Sequence, residues 1–229
     1  MILTHGANSI GRGGDQDYIL DNFVALYNGV TDSGYAINDG SFGQLLWDAN
    51  GPIQAPNGQG MPYYARENFS GNNGGVQAIY DGLKTIIANG IYTMDLWFYY
   101  DSDILLNNGF IFGLYNPGRG HEECSLRRSS NFVDRFFFTI VDTWEDTFYE
   151  GNREWAHLAL VVKENTYKIF ANGNLLLSGN CGSHFTDINT IRFRFDGSAG
   201  GVRISQFALR NRVVWTSNFT PPTLLYKQI

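Results

Sequence analysis

The densest carboxylate cluster in the chain is "DTWEDTFYE", Asp142 to Glu150, with a tryptophan at its centre. Carboxylates around an aromatic ring are the equipment of glycoside hydrolysis, which in a retaining enzyme needs an acid and a nucleophile about 5–5.5 Å apart. In an extended segment the adjacent Glu145 and Asp146 would point to opposite faces, whereas Asp142, Trp144 and Asp146 would share one. The stretch is read as a solvated loop. "HEEC", His121 to Cys124, offers nitrogen, oxygen and sulfur donors to a metal, but four contiguous residues seldom complete a coordination shell. With no Cys-x-x-Cys or His-x-x-x-His partner, it is read as a polar loop end. No serine nucleophile elbow occurs, and the glycines of "GNNGG" and "GSAGG" lack the Lys-Ser/Thr of a phosphate loop. His5 and His184 have no partner nearby in sequence, and His157 falls inside an apolar run, where packing or a hydrogen bond is expected. The chain is expected not to be an enzyme.

The elements that must carry these residues are strands. Aromatics are 15% of the 229 residues, charged residues only 17%, and there are 27 glycines, a mixture that favours short strands joined by tight turns. In "EWAHLALVVKENTYKIFANGNLLLSG", Trp155, His157, Ala159 and Val161 alternate with Leu158, Leu160 and Val162, so both faces of the strand are largely apolar and it is expected at the centre of a sheet. "KEN" turns the chain, and Asn172-Gly173 suits a type I′ hairpin, which predicts a three-stranded antiparallel meander. "IYTMDLWFYY", "GFIFGLY", "DRFFFTIV", "TIRFRFDG" and "GVRISQFALRN" extend the pattern to some ten or more strands, enough for a two-sheet sandwich.

Composition narrows the partners. With 16 Lys plus Arg against 22 Asp plus Glu, a net charge of -6 leaves no footprint for nucleic acid. Asp95 and Asp101 break the longest apolar stretch well short of the 18 or so residues of a membrane helix, so no membrane insertion is expected. "MILTHGANSIGRGGDQD" lacks the basic flank and apolar run of an export signal, which places synthesis in a host cytoplasm. Cys124 and Cys181 are too few for a disulfide scaffold and pair only if the fold brings them together.

Three segments carry a family likeness. "YTMDLWFYYDSD" (92–103), "EWAHLALVVKENTYKIFANGNLL" (154–176) and "GGVRISQFALRNRVVWTSNFTPP" (200–222) resemble, in that order, the signature strands of laminin-G-like, concanavalin-A-like jelly-roll domains. The last resembles an ending found in bacteriophage structural and bacterial surface proteins. The resemblance implies an all-β fold: a two-sheet antiparallel jelly-roll sandwich spanning residues 22–229 as a single domain, preceded by an extended N-terminal arm over residues 1–21. It departs from the family at "RISQF", where an acidic pair is common, so that site is not carried over. Glucanases on this scaffold use Glu-x-Asp-x-x-Glu, which "DTWEDTFYE" does not reproduce. Relatives that hold calcium make Ca2+ the one ion to consider, with Asp142, Asp146 and Asp196 as oxygen donors, though no Asp-x-Asp-x-Asp-Gly loop is present. No other cofactor is expected.

Two functional readings follow. In the first, the chain is a virion structural or adhesion protein, a bacteriophage head or tail appendage of fibre or decoration type. Its arm, through Thr4, His5, Asn8, Ile10 and Arg12, docks to other virion proteins or to copies of itself, as a trimer for example, and its jelly roll faces outward to cell-surface polysaccharide. Polar, Gly-rich arms of this kind order on a partner. In the second, it is a stand-alone extracellular carbohydrate-binding module or glycan hydrolase. Trp47, Tyr63, Tyr64, Trp144 and Tyr149, in loop-like context, serve either as sugar-stacking rings or as subunit contacts.

Overall fold

Asn172 and Gly173 both take positive φ, +47° and +77°, the pair of left-handed residues that a type I′ turn demands. In the computed structural model of the chain this turn joins two of the eighteen strands β1 to β18 introduced below. The structure describes those strands and residues 89–90, 164–165, 172–173, 181–182, 188 and 211–222; side chains are described for residues 21, 89–98, 113–114, 124–126, 155–182, 188 and 207–222. Every described element is a strand.

β1 (Ser9–Gly13) and β2 (Gln16–Asp21) form a hairpin, followed by the short β3 (Ala25–Val30), β4 (Ala36–Asn38), β5 (Gln54–Ala55), β6 (Ala65–Glu67) and β7 (Gly75–Ile79). Longer strands come next: β8 (Ile91–Tyr100), β9 (Phe110–Asn116), β10 (His121–Arg128), β11 (Arg135–Ile140), β12 (Thr143–Glu150), β13 (Trp155–Lys163), β14 (Thr166–Ala171) and β15 (Asn174–Asn180). β16 (Thr190–Arg194), β17 (Val202–Arg210) and β18 (Leu225–Gln228) complete the order. One large sheet runs β15-β14-β13-β8-β17-β3-β4, with β6 also on β17 and β5 on β6; the second runs β12-β11-β10-β9-β16-β7. Together they are the antiparallel two-sheet jelly-roll sandwich expected. A third, three-stranded sheet adds β18 to the first hairpin, parallel to β2.

The predicted meander is β13-β14-β15, and β13 is central as its two apolar faces require, lying between β14 and β8. At the first turn Glu164, rather than Asn165, takes the left-handed conformation, φ +57°, and its N–H donates to the Gly90 carbonyl at 2.6 Å. Tyr92, Met94, Leu96 and Phe98 of β8 share the inner face with Leu158, Leu160 and Val162 of β13 and with Ile169, Phe207 and Leu209. That layer meets Leu114, Cys124 and Leu126 of the second sheet, and each large side chain buried there contributes about 1.5–3 kcal/mol.

Two expected loops are strands. "DTWEDTFYE" becomes β12 from Thr143 onward, at the edge of the second sheet, because its Thr, Trp, Phe and Tyr residues suit a pleated surface and an edge tolerates the carboxylates between them. "HEEC" opens β10, with Cys124 buried opposite Leu114 and Ile140.

Candidate functional site

Asp95 stands in the middle of "YTMDLWF", and strand alternation puts it on the outer face of the large sheet with Thr93 and Trp97. Its register partners are Ala159 on β13 and Ala208 on β17. Two alanines leave space above the carboxylate, and longer side chains enter it from the diagonal positions: His157, opposite Trp97, and Arg210, opposite Thr93. Asp95 Oδ2 lies 3.2 Å from His157 Nε2, and Arg210 Nη1 donates to Asp95 Oδ1. Arg210 Nε donates to Asp21 Oδ2 at 3.0 Å, and Arg212 Nη2 donates to both oxygens of Asp21, at 2.7 and 2.6 Å. His157 is 0% exposed, Asp95 and Arg210 1%, while the Arg212 side chain is 47% exposed.

Two carboxylates against two guanidinium groups make the cluster neutral when His157 is neutral. Buried charge is tolerated only when paired in this way, and removing one partner strands the other. The network therefore requires β2, β8, β13 and β17 to sit together, and through Arg212 it requires the segment that follows β17 as well.

That segment, 211–222, is a strap across the outer face. Thr93 Oγ1 donates to the Arg212 carbonyl at 2.8 Å and accepts from Val214 N at 3.0 Å, fixing the strap over β8. Val213, Trp215 and Phe219 pack on Ala159, Val161 and Phe170, and Lys168 Nζ donates to the Thr216 carbonyl at 2.7 Å. At the far hairpin Leu175 N donates to Asn218 Oδ1 at 2.9 Å and Phe219 N to the Gly173 carbonyl at 2.9 Å. The approach is so close that a Cβ on Gly173 would fall 1.9 Å from the Phe219 carbonyl oxygen. The strap then returns to β8, where Trp97 Nε1 donates to the Pro222 carbonyl at 2.9 Å.

Trp215 and Phe219 stack at 4.1 Å and 8° to form a roof. His157 meets both edge-on at 5.7 Å and Trp97 at 5.1 Å, and the Arg210 guanidinium lies 5.8 Å from the Trp215 ring centre. An Asp–His pair is half of a general-base relay, yet His157 Nδ1 touches no hydrogen-bonding group among the described residues and the imidazole has no contact with water. What the arrangement does is clasp: it binds the N-terminal hairpin and the strap to the sheet.

The sequence is matched by no family model, and no curated protein matches it. Solved structures do resemble it. The receptor binding domain of botulinum neurotoxin type G is 13% identical with a TM-score of 0.61, covering 85% of this chain and 49% of that one. The binding domain of Paraclostridial Mosquitocidal Protein 1 is 12% identical with a TM-score of 0.61, covering 85% and 50%. Trypanosoma rangeli sialidase in complex with sialic acid is 15% identical with a TM-score of 0.61, covering 85% and 31%. The chain thus spans about half the length of the toxin domains it matches. At these identities the likeness is one of fold, a β-sandwich.

Of the residues singled out in the sequence, Trp144, Asp146 and Tyr149 lie on β12, where Trp144 is opposite Thr139 and Tyr149 opposite Phe136. Ile10 and Arg12 lie on β1 opposite Ile19 and Asp17. Trp47, Tyr63, Tyr64, Asp142, Asp196, Thr4, His5 and Asn8 fall outside the described residues. Among the described residues no three His, Cys, Asp or Glu side chains are grouped to hold a metal. The clasp residues Asp21, Asp95 and Arg210 were not singled out. A signal was present: Asp95 is a lone carboxylate in an otherwise apolar run, and such a residue needs a cation from another strand.

Proposed function

We propose that the chain is a non-catalytic recognition module: a jelly roll that presents aromatic side chains to glycans while its N-terminal segment attaches it to a larger assembly, a virus particle such as a bacteriophage head or tail appendage. One observation carries the reading. The Asp95–His157 pair, the described constellation closest to catalytic machinery, is sealed under the Trp215–Phe219 roof and serves to hold the strap and β2 in place. With that chemistry committed to scaffold, recognition falls to strand edges and loops, as in many sandwich domains. Support for glycans comes from what the similar structures are named for: a botulinum neurotoxin DC binding domain in complex with SialylT, a type C neurotoxin whose cell entry depends on two ganglioside molecules, and the sialidase with sialic acid. Support for the virion is the likeness of the 200–222 segment to phage proteins and the presence ahead of β1 of residues 1–8, among them Thr4, His5 and Asn8.

A glycan array that includes sialylated oligosaccharides and gangliosides, run with and without calcium, tests the first part. Binding to a defined subset, weakened at least tenfold by Trp144→Ala or Tyr149→Ala, is expected; no binding in either condition sinks the glycan reading. Attachment is tested by deleting residues 1–8 only. Deletion through residue 21 would remove β2 and Asp21 and so damage the clasp, confusing attachment with folding. The shorter deletion is expected to leave the sandwich folded and abolish incorporation into particles.

A further inference from the structure

The turn between β14 and β15 holds a peptide link with chemistry of its own. Asn172 precedes Gly173, and glycine, lacking a side chain, leaves its nitrogen open to attack the carboxamide carbon of the residue before it. Asn-Gly recurs along the chain, at Asn50, Asn57, Asn89 and Asn108 among others. What sets Asn172 apart is how its groups are held. Asn172 N donates to the His157 carbonyl at 2.8 Å, and Asn172 Oδ1 accepts from His157 N at 2.9 Å. The carboxamide thereby extends the ladder of β13 and β14 one step beyond the Leu158–Ala171 pair. Gly173 is buried, its carbonyl taken by Phe219 N of the strap, although Asn172 and Asn174 on either side are exposed. One residue earlier in the strap, Asn218 Oδ1 holds Leu175 N. The turn is thus pinned to β13 on one side and to the strap on the other. The Asn89-Gly90 turn, at the other end of β14, is held instead by Glu164, whose N–H donates to the Gly90 carbonyl.

We propose that Asn172 is a deamidation site guarded by the strap, and that its conversion to isoaspartate releases the strap for good. Gly173 N gives up its proton to solvent and attacks Asn172 Cγ; a C–N bond forms, the bond from Cγ to Nδ2 breaks, and ammonia leaves. Water then opens the resulting five-membered imide. Attack at Cγ gives aspartate, and attack at the main-chain carbonyl gives isoaspartate, in which the chain runs on through the former side chain. Ring closure has two structural requirements. The carboxamide must leave His157 N, and the peptide between the two residues must turn, which carries the Gly173 carbonyl away from Phe219 N. The strap end around Asn218 and Phe219 must therefore lift first, so the rate at Asn172 is the intrinsic rate multiplied by the fraction of molecules in which that end is open. An isoaspartate adds a carbon to the main chain of a two-residue turn whose dihedrals fit the flanking strands, so Phe219 N cannot find the Gly173 carbonyl again.

The test incubates the full chain at 37 °C in mildly alkaline buffer, with and without urea, and follows each Asn-Gly pair by peptide mass mapping and an isoaspartate methyltransferase assay. Deamidation at Asn172 is expected to be at least tenfold slower in the folded protein than in urea. Phe219→Ala, and the milder Asn218→Ala, should speed it severalfold in the folded state while the rate at Asn89 stays as in the parent. Molecules carrying isoaspartate at 172 should show Trp215 more open to acrylamide quenching. Asn172→Asp, which keeps the chain length and an oxygen for His157 N, should not. Equal rates in buffer and urea, a rate at Asn172 that neither strap variant changes, a rise shared equally by Asn89 in both variants, or the same quenching in isoaspartate and parent molecules would each overturn the proposal.

Discussion

In β8 and β13, at the centre of the large sheet, both faces are buried, by different means. The inner face is covered by a second sheet and relies on apolar area: Met94, Leu96, Phe98, Leu158, Leu160 and Ile169 meet side chains of the same kind, and many substitutions of similar volume would serve. The outer face is covered by a strap of twelve residues, 211–222, too narrow to bury a sheet by area alone. There the fit depends on named pairs: Arg210 between Asp95 and Asp21, Thr93 between Arg212 and Val214, Gly173 beneath Phe219. A face covered by a sheet tolerates exchange, whereas a face covered by a strap does not.

Substitutions can break that contrast. The largest expected loss is at the clasp: Arg210→Ala takes the guanidinium from the buried Asp95 and leaves Asp21 with Arg212 alone, and should cost about 3–5 kcal/mol in urea unfolding. Arg210→Met combined with Asp95→Leu should recover much of that loss, since an apolar pair replaces an ionic one; no recovery would mean the network is needed for the fold itself. On the inner face, Cys124 is held protonated up to about 12 against a usual value of 9.0, and Tyr92 is raised as well. Because the unfolded chain releases these protons first, stability should be intact below pH 9 and fall between about pH 9 and 12 through Cys124, by about 1 kcal/mol per pH unit, with Tyr92 adding to the fall above pH 10. Cys124→Ala should flatten that slope.

Gly173→Ala should cost about 2 kcal/mol, through strain at φ +77° and collision with the Phe219 carbonyl, and should raise the exposure of Trp215 as read by fluorescence quenching. The smallest effect belongs to Arg212→Ala. With its side chain 47% exposed, the residue sits at the rim of the clasp and its loss should cost about 0.5–1 kcal/mol, less at high salt. An equal cost for Arg210 and Arg212 would erase the distinction between buried and rim charge.

Much of the fold was legible in local sequence. The alternation of "WAHLALVV", the Asn172-Gly173 turn and the three ordered segments pointed to the meander and the sandwich, because strand period and turn chemistry are properties of neighbouring residues. "DTWEDTFYE" and "HEEC" misled because carboxylates suggest loops, while whether a mixed stretch forms an edge strand depends on the neighbour offered to it. The clasp was hidden for a related reason. Asp21, Asp95, His157 and Arg210 are spread over nearly the whole chain, and only the register of β13, β8 and β17 reveals that Ala159 and Ala208 open a space above Asp95.

By itself the sequence determined the all-β class, the central place of β13, the left-handed hairpin at Asn172-Gly173 and the lack of any phosphate-loop or nucleophile-elbow motif. Tertiary structure alone decided that a lone aspartate becomes the centre of a buried ion network, that "NRVVWTSNFTPP" is a strap over the back of a sheet, and that Cys124 and Cys181 are both buried. Pattern is written in side chains one to four positions apart. Charge pairing, roof and burial depend on distances between residues far apart in the chain, and those exist only once the sheets have closed.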